Sequence, residues 1–310
     1  MNEHFVSVGP SLAKKISFDM SDNVFDTYHY ITYSNVTFHF TLVDTDEVMK
    51  IILNFSNDKA TGCDMLSVKL IKLAANGIVN ALTHIINISL MIGNVPDIWK
   101  RARVTALHKG GSNEVSNFRP ISVLPILSKV LERIAFNQLY DFLNINCLIN
   151  KYQSGFRPMH STTTALLNIT DDWLIEFDKG NIVIAVMLDL KGAFDTIDHE
   201  TLIRKLYYYG LDEISVNWFK SYLHGRFQAT CVSGNTSDFR PVTCGIPQGS
   251  ILGPLLFILH INDLPSVVKH CKVSMYADDT MLYCSGKDPF DICRKINEDL
   301  ENIRLWLIRN

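Results

Sequence analysis

The chain has 310 residues, 47% of them hydrophobic, with a mean hydropathy of +0.10, so it can bury one large core and is not a disordered polymer. Its net charge of −3 and pI near 6.4 exclude a uniformly basic nucleic-acid binder. They conceal an asymmetry: positions 96–160 hold nine Lys or Arg against four acids, and the surplus of acids lies elsewhere. On charge alone that segment is simply a solvated face.

Seven cysteines are scattered from Cys63 to Cys293 without a CxxC pair or zinc-ligand spacing, which predicts reduced thiols in an intracellular protein of the cytoplasm or nucleus. The start, MNEHFVSVGP, lacks the apolar run of a secretory signal. The longest apolar stretches, at 182–188 and 251–261, fall short of a bilayer span, so no membrane partner is expected.

In chain order, residues 1–43 show no clear period and are expected to be a loosely ordered lead-in. Asp44 or Thr45 caps a helix whose stripe is Val48, Ile51, Ile52 and Phe55. The loop SNDKATGCDM leads to a helix over Leu66–Ala75 and a further one over Ala81–Ile92, stopped by Gly93 and Pro96. The stretch RARVTALHKGGSNEVSNFRPISVL predicts two strands around a Gly/Ser/Asn turn with cations on both arms.

Helices follow at Ser128–Leu143 and Ser161–Phe177. NIVIAVMLDL is continuously apolar, as in a strand covered on both faces, and ends in Asp189. Asp198 caps HETLIRKLYYYG, and a helix over Ile214–Leu223 precedes the strand-like FQATCVSG and DFRPVTCGI. SILGPLLFILHINDL predicts a buried helix. KVSMYADDTMLYCSG reads as a hairpin with Ala277, Asp278 and Asp279 at its tip, and DICRKINEDLENIRLWL as a last helix. The sum is an α+β fold.

Either a strand-end Asp or an Asp-Asp pair alone is usually a cap or a solvated turn. Two adjacent carboxylates in an apolar hairpin repel one another, however, and a cation would relieve that repulsion. His199 reads as a first-turn helix residue, and Trp99, Trp173 and Trp218 as core.

VMLDLKGAFDTIDH, GIPQGSILGPLLFILHINDLP and MYADDTMLY, in this order, resemble the A, B and C motifs of reverse transcriptases, specifically those of non-LTR (LINE-like, jockey or CR1 type) retrotransposons. NFRPISVLPILSKVLERI and YQSGFRPMHSTTTALL resemble the finger motifs of the same group, and NDKATGCDM its template-contacting segment. Cys63 stands where that family has Pro, and His108 where an apolar residue is common.

The resemblance implies a right-hand polymerase with fingers and a palm whose mixed or antiparallel sheet packs on helices. Residues 1–43 would form the lead-in, 44–180 an N-terminal extension with the fingers, and 181–310 the palm. In relatives, a lysine-bearing segment, a primer-grip hairpin and a thumb follow the IRLWL helix, and an endonuclease domain can precede the fingers. The expectation is therefore a palm truncated before the thumb, and the competing reading is a catalytically weak or inert nucleic-acid-binding remnant.

Carried over position by position, Asp189, Asp278 and Asp279 would be the catalytic acids, holding Mg²⁺, or Mn²⁺ in its place, together with the carbonyl of Leu190. Gly192 and Ala193 would meet the triphosphate through their amides. Phe194 would be the steric gate against a ribose 2′-OH, where its bare reading is core packing. Gln248 would lie beside the nascent base pair, with Gly249 allowing close backbone approach, and Lys109 and Arg119 would grip the incoming dNTP. Lys59 would touch template phosphate or remain a solvated lysine, and Arg157 would either touch nucleic-acid backbone or brace a neighbouring helix. The implied partners are an RNA template, a DNA primer and dNTPs.

Overall fold

The computed structural model describes residues 1–14 and 36–310. It is a mixed α/β fold of two sheets and nine α-helices among those residues, with one large apolar core and a small second cluster of Cys284, Ile292 and Ile296. The helices are α1 (Asn2–Ala13), α2 (Thr45–Asn54), α3 (Val68–Ile92), α4 (Ile126–Ile145), α5 (Thr162–Asp178), α6 (His199–Tyr208), α7 (Glu213–Leu223), α8 (Gly253–Ile261) and α9 (Pro289–Arg309). The strands are β1 (Arg101–His108), β2 (Phe118–Val123), β3 (Ile182–Leu188), β4 (Arg226–Val232), β5 (Asn235–Thr236), β6 (Arg240–Val242), β7 (Lys272–Tyr276) and β8 (Asp279–Gly286).

Local chemistry sets the helix starts. Asp44, Ser67, Ser161, Asp198 and Asp212 each accept a hydrogen bond from an amide of the first turn, and at α5 the Ser161–Thr164 box is reciprocal. Where two helices are expected between positions 66 and 92 there is one of 25 residues. Its buried stripe of Ile71, Ala75, Val79, Leu82, Ile86 and Leu90 runs unbroken past Asn76 and Gly77. Tertiary burial of that stripe overrides two poor helix formers. By length and composition α3 is also long and apolar enough to cross a bilayer, unlike the shorter stretches the sequence pointed to, but its stripe is spent against α2, α4 and α7.

The first sheet has the order β2-β1-β4-β5, with β6 also on β4. β1 pairs antiparallel with β2 and parallel with β4, so the sheet joins segments on both sides of position 180. The second sheet, β3-β8-β7, is wholly antiparallel. Contrary to the expectation of a strand covered on both faces, Ala185 and Met187 of one face are exposed while Ile184 and Val186 of the other pack inward; β3 is also an edge strand. A run of unbroken hydrophobicity does not distinguish a central strand from an edge strand.

Between the sheets, α8 is buried along nearly its whole length, and Trp218, Phe219 and Tyr222 of α7 complete the centre. A buried ion pair links three helical segments there. Lys205 Nζ of α6 lies 2.6 Å from the Asp263 carboxylate just after α8, and the Trp306 indole of α9 donates to the other Asp263 oxygen at 3.2 Å. Asp299 of α9 accepts the amides of Lys269, His270 and Cys271 at 2.8–2.9 Å, fixing the segment that leads into β7.

Residues 2–13, expected to be loosely ordered, form α1. The Asn2 side chain is buried, donating to the carbonyls of Gln228 and Asp238 and accepting from Gln228 Nε2 and Thr230 Oγ1. Positions 15–35 of the expected lead-in lie outside the described residues.

Candidate functional site

The second sheet brings the carboxylates together. Leu188 pairs with Thr280, so Asp189 leaves β3 beside the tip of the β7–β8 hairpin. Tyr276 pairs with Asp279, which makes Ala277 and Asp278 the two central residues of its turn. Ala277 adopts the left-handed conformation, φ 55°.

After Asp189 the chain coils through Leu190–Thr196. Ala193 N–H donates to Leu190 O, and the amides of Asp195 and Thr196 donate to Gly192 O. Gly192 sits at φ 65°, where a side chain would be strained. Ile246 N–H donates to Phe194 O and Gly245 N–H to Ile197 O, both at 2.8 Å, so the coil is laced to the Gly245–Gly249 segment.

That segment is docked in turn on β2, because Ser122 N–H donates to Gln248 O at 2.6 Å. The buried Glu132 carboxylate of α4 takes the Ile251 amide at 2.6 Å and the Tyr222 hydroxyl at 3.2 Å. Burial pushes its pKa up, opposed by those hydrogen bonds and by Arg226 and Lys129.

These elements enclose an open cavity of about 740 Å³, within the size range of small-molecule sites. Asp189 and Asp278 line it together with Leu190, Gly192, Ala193, Phe194 and Gln248. Lys109 and Arg119 line it from the β1–β2 hairpin, where Arg119 pairs with Leu107 and Lys109 N–H donates to Asn117 O. The cavity thus brings carboxylates and cations together, Lys191 of the coil among them, the electrostatic pattern for a ligand that carries both phosphate and metal.

Phe194 does two things at once. Its ring stacks on Phe257 of α8 at 4.6 Å and 13°, and it still lines the cavity. Core packing fixes the rotamer that presents the ring.

Not every expected residue reaches this cavity. Asp279, first residue of β8, is exposed and does not line it, and neither does Gly249, where a Cβ would fall 2.5 Å from Ser122 O. Lys59 lies over the Phe55 ring at 5.7 Å, on an exposed loop outside the cavity. Arg157 lines a different depression, and its Nη1 donates to the carbonyls of Asn150 and Gln153, so in this structure it ties its own loop rather than a neighbouring helix.

His199 is the first residue of α6, as expected. Its buried Nε2 bonds Gly245 O at 2.7 Å, and burial lowers its pKa. Trp99 and Trp218 are core, whereas Trp173 is half-buried at the edge of Tyr283.

Further residues of the site were given no role from the sequence, although Asp195 lies within the quoted VMLDLKGAFDTIDH. Half-buried Asp195 accepts from Gln248 Nε2 at 2.9 Å, and desolvation raises its pKa against that hydrogen bond and the Lys109 charge. α1 supplies a wall of the cavity through His4, Phe5, Val8, Ser11 and Leu12. Gly9 and Pro10 look like a helix stop, but a Cβ at Gly9 would fall 2.2 Å from Asp195 O, so glycine is what allows the helix to seat.

Among the described residues, no three His, Cys, Asp or Glu side chains converge as a metal cage. Three carboxylates line the cavity, and because Asp195 is engaged by Gln248, Asp189 and Asp278 are the two left as hard-oxygen donors, with Leu190 beside them. That set suits Mg²⁺, which is ordinarily held by one or two carboxylates with water and substrate phosphate completing its octahedron.

Comparison with known proteins agrees with this geometry. The family model described as "Reverse transcriptase (RNA-dependent DNA polymerase)" matches residues 107–309. The chain is 30% identical over 273 residues to the RNA-directed DNA polymerase from mobile element jockey of Drosophila melanogaster, covering 85% of this chain and 30% of that protein. It is 32% identical over 282 residues to the probable RNA-directed DNA polymerase from transposon BS of the same species, covering 86% and 30%. Similarity to that of transposon X-element is 29% over 275 residues, covering 85% and 30%. The chain therefore spans under a third of the length of these relatives. With the family match covering more than half of its residues, the chain belongs to the reverse transcriptase family, in the company of non-LTR retrotransposon polymerases.

Proposed function

We propose that this chain carries the nucleotidyl-transfer centre of an RNA-directed DNA polymerase, with the first sheet and its β1–β2 hairpin as fingers and the second sheet as palm. The observation that carries the reading is one cavity lined together by Asp189, Asp278, Lys109, Arg119, Phe194 and Gln248.

Asp189, Asp278 and the Leu190 carbonyl would hold Mg²⁺, with Asp279 alongside; Mn²⁺ offers similar oxygen affinity. Bound there, a metal pair supplies acidification of the primer hydroxyl and neutralisation of charge on the leaving pyrophosphate.

The remaining work belongs to the side chains. Lys109 and Arg119 bind the triphosphate from the hairpin, and the Gly192 amide meets it from the coil, while the Ala193 amide is taken up by Leu190 O. Phe194, held flat against Phe257, closes the space a ribose 2′-OH would need, and that hydroxyl is what separates rNTP from dNTP. Gln248, tethered through Nε2 to Asp195, keeps its carbonyl oxygen available to the nascent pair.

RNA template and DNA primer are the macromolecular substrates, and the basic segment 96–160 supplies phosphate contacts, with Lys59 available to the template strand. All seven cysteines are free thiols, in keeping with a cytoplasmic or nuclear setting.

The test is extension of a labelled DNA primer on RNA with Mg²⁺ and dNTPs. The reading requires RNA-templated incorporation that rNTPs do not support, and rNTP use after Phe194→Val. Equal use of both sugars by the wild type would overturn the assignment of Phe194.

A further inference from the structure

The turn that presents Asp278 is not self-sufficient. Ala277, the residue before Asp278, has φ 55°, a conformation that favours glycine, and no glycine is present in the turn. Its backbone groups are instead clamped by one side chain. Gln153 is fully buried, and its Oε1 accepts from Ala277 N–H at 2.9 Å while its Nε2 donates to Ala277 O at 3.3 Å.

The clamp is itself fixed on every side. Gln153 Oε1 also takes the Gly155 amide at 2.7 Å. Residues 152–154 run alongside β7, with Met275 N–H donating to Tyr152 O and Ser154 N–H to Met275 O. A Cβ on Gly155 would fall 2.1 Å from Ala277 N, so only glycine lets the segment approach the turn this closely. Arg157 Nη1 grips Gln153 O at 3.0 Å, which explains why that cation faces away from the cavity.

We propose that Gln153 is a positioning residue for nucleotidyl transfer, which aims the Asp278 carboxylate into the cavity by holding both backbone groups of Ala277. The inference rests on the function proposed above for Asp278, and it assigns a role to QSGFR residues that do not line the cavity. The chemistry specifies glutamine. An amide offers an acceptor and a donor together, whereas an ionised glutamate would set a second acceptor against Ala277 O and add a buried charge beside Asp278 and Asp279.

The experiment compares wild type with Gln153→Met, Gln153→Glu and Arg157→Met. Four quantities are read: single-turnover incorporation, dNTP KM, Mn²⁺ affinity by electron paramagnetic resonance, and hydrogen exchange at the Ala277 amide. Gln153→Met is expected to lose about 10- to 100-fold in turnover and in Mn²⁺ affinity, the usual effect of removing a group that orients a ligand, with dNTP KM nearly unchanged. Exchange at Ala277 should accelerate by a similar factor.

Gln153→Glu should recover toward wild type on acidification from pH 8 to 6, because the protonated acid again offers donor and acceptor. Arg157→Met should show a weaker version of the Met phenotype, and it keeps the proposal testable if Gln153→Met does not fold. Wild-type turnover and Mn²⁺ affinity in Gln153→Met, or unchanged exchange at Ala277, would overturn the proposal. If the wild type incorporates no nucleotide, the polymerase reading falls, and exchange at Ala277 then decides the Gln153 clamp alone.

Discussion

Replacing Gly249 with alanine should disable the site from outside the cavity. Gly249 has φ 114°, and a Cβ built there would lie 2.5 Å from Ser122 O, a backbone atom of β2 that cannot rotate away. The left-handed backbone alone costs an alanine about 1–3 kcal/mol. Relief of the clash forces the 247–249 turn off β2, stretching the Ser122–Gln248 hydrogen bond at about 1 kcal/mol and adding overpacking of about 1–3 kcal/mol. Gly110 provides the control. Its φ is 99°, but nothing lies within 4 Å of its notional Cβ, so Gly110→Ala bears only the backbone cost.

Urea denaturation should therefore place Gly249→Ala below Gly110→Ala in stability by roughly 2–4 kcal/mol. Because Gln248 moves with the turn and its side chain is bonded to Asp195, primer extension by Gly249→Ala should also fall, while Gly110→Ala keeps near wild-type turnover. Equal stability losses in the two variants would refute the account of how the turn is seated.

Asn2→Ala removes the four hydrogen bonds that hold the start of α1, so amide exchange over residues 2–13 should accelerate while α8 stays protected, as mass spectrometry would read. Lys205→Met leaves Asp263 buried with the Trp306 indole but without its cation, and should cost about 3–5 kcal/mol in urea denaturation; Lys205→Met with Asp263→Leu should recover most of it. Burial raises the folded pKa of Asp195 above its unfolded value, so the native state binds the proton more tightly. Its contribution to stability is present below the unfolded pKa and is lost as pH rises through the folded one. Asp195→Asn, which keeps an acceptor for Gln248, should accordingly be as stable as wild type or more so at pH 7, and denaturation curves should show that margin shrinking toward pH 4.

What the resemblance pointed to and the fold brings to one cavity is Asp189 and Asp278 at strand ends, Phe194 beside them, and Lys109 and Arg119 on the hairpin; taken singly, each had a plainer reading as a cap, a core ring or a solvated cation. What was not readable depends on long-range packing. Gln153 looks like any polar loop residue until the fold sets it against Ala277, more than a hundred positions away. Gly9 and Pro10 carry a stop signal, yet α1 continues through them because Gly9 packs on Asp195 O. Burial of the Ile71–Leu90 stripe joined two expected helices into α3, while β3 has hydrophobicity on both faces although only one neighbouring strand pairs with it. Periodicity reports which residues can be buried, and the neighbours decide which are.

The central claim is that the cavity joining Asp189 and Asp278 is where nucleotides are added. Single-turnover extension of a primer on RNA by wild type and Asp278→Asn, at equal occupancy of primer–template and with Mg²⁺ present, tests it most directly. The account predicts a loss of at least about a hundredfold, the scale of removing one preorganised electrostatic group from a reaction centre, with primer–template affinity retained. Equal incorporation by the two proteins would contradict it.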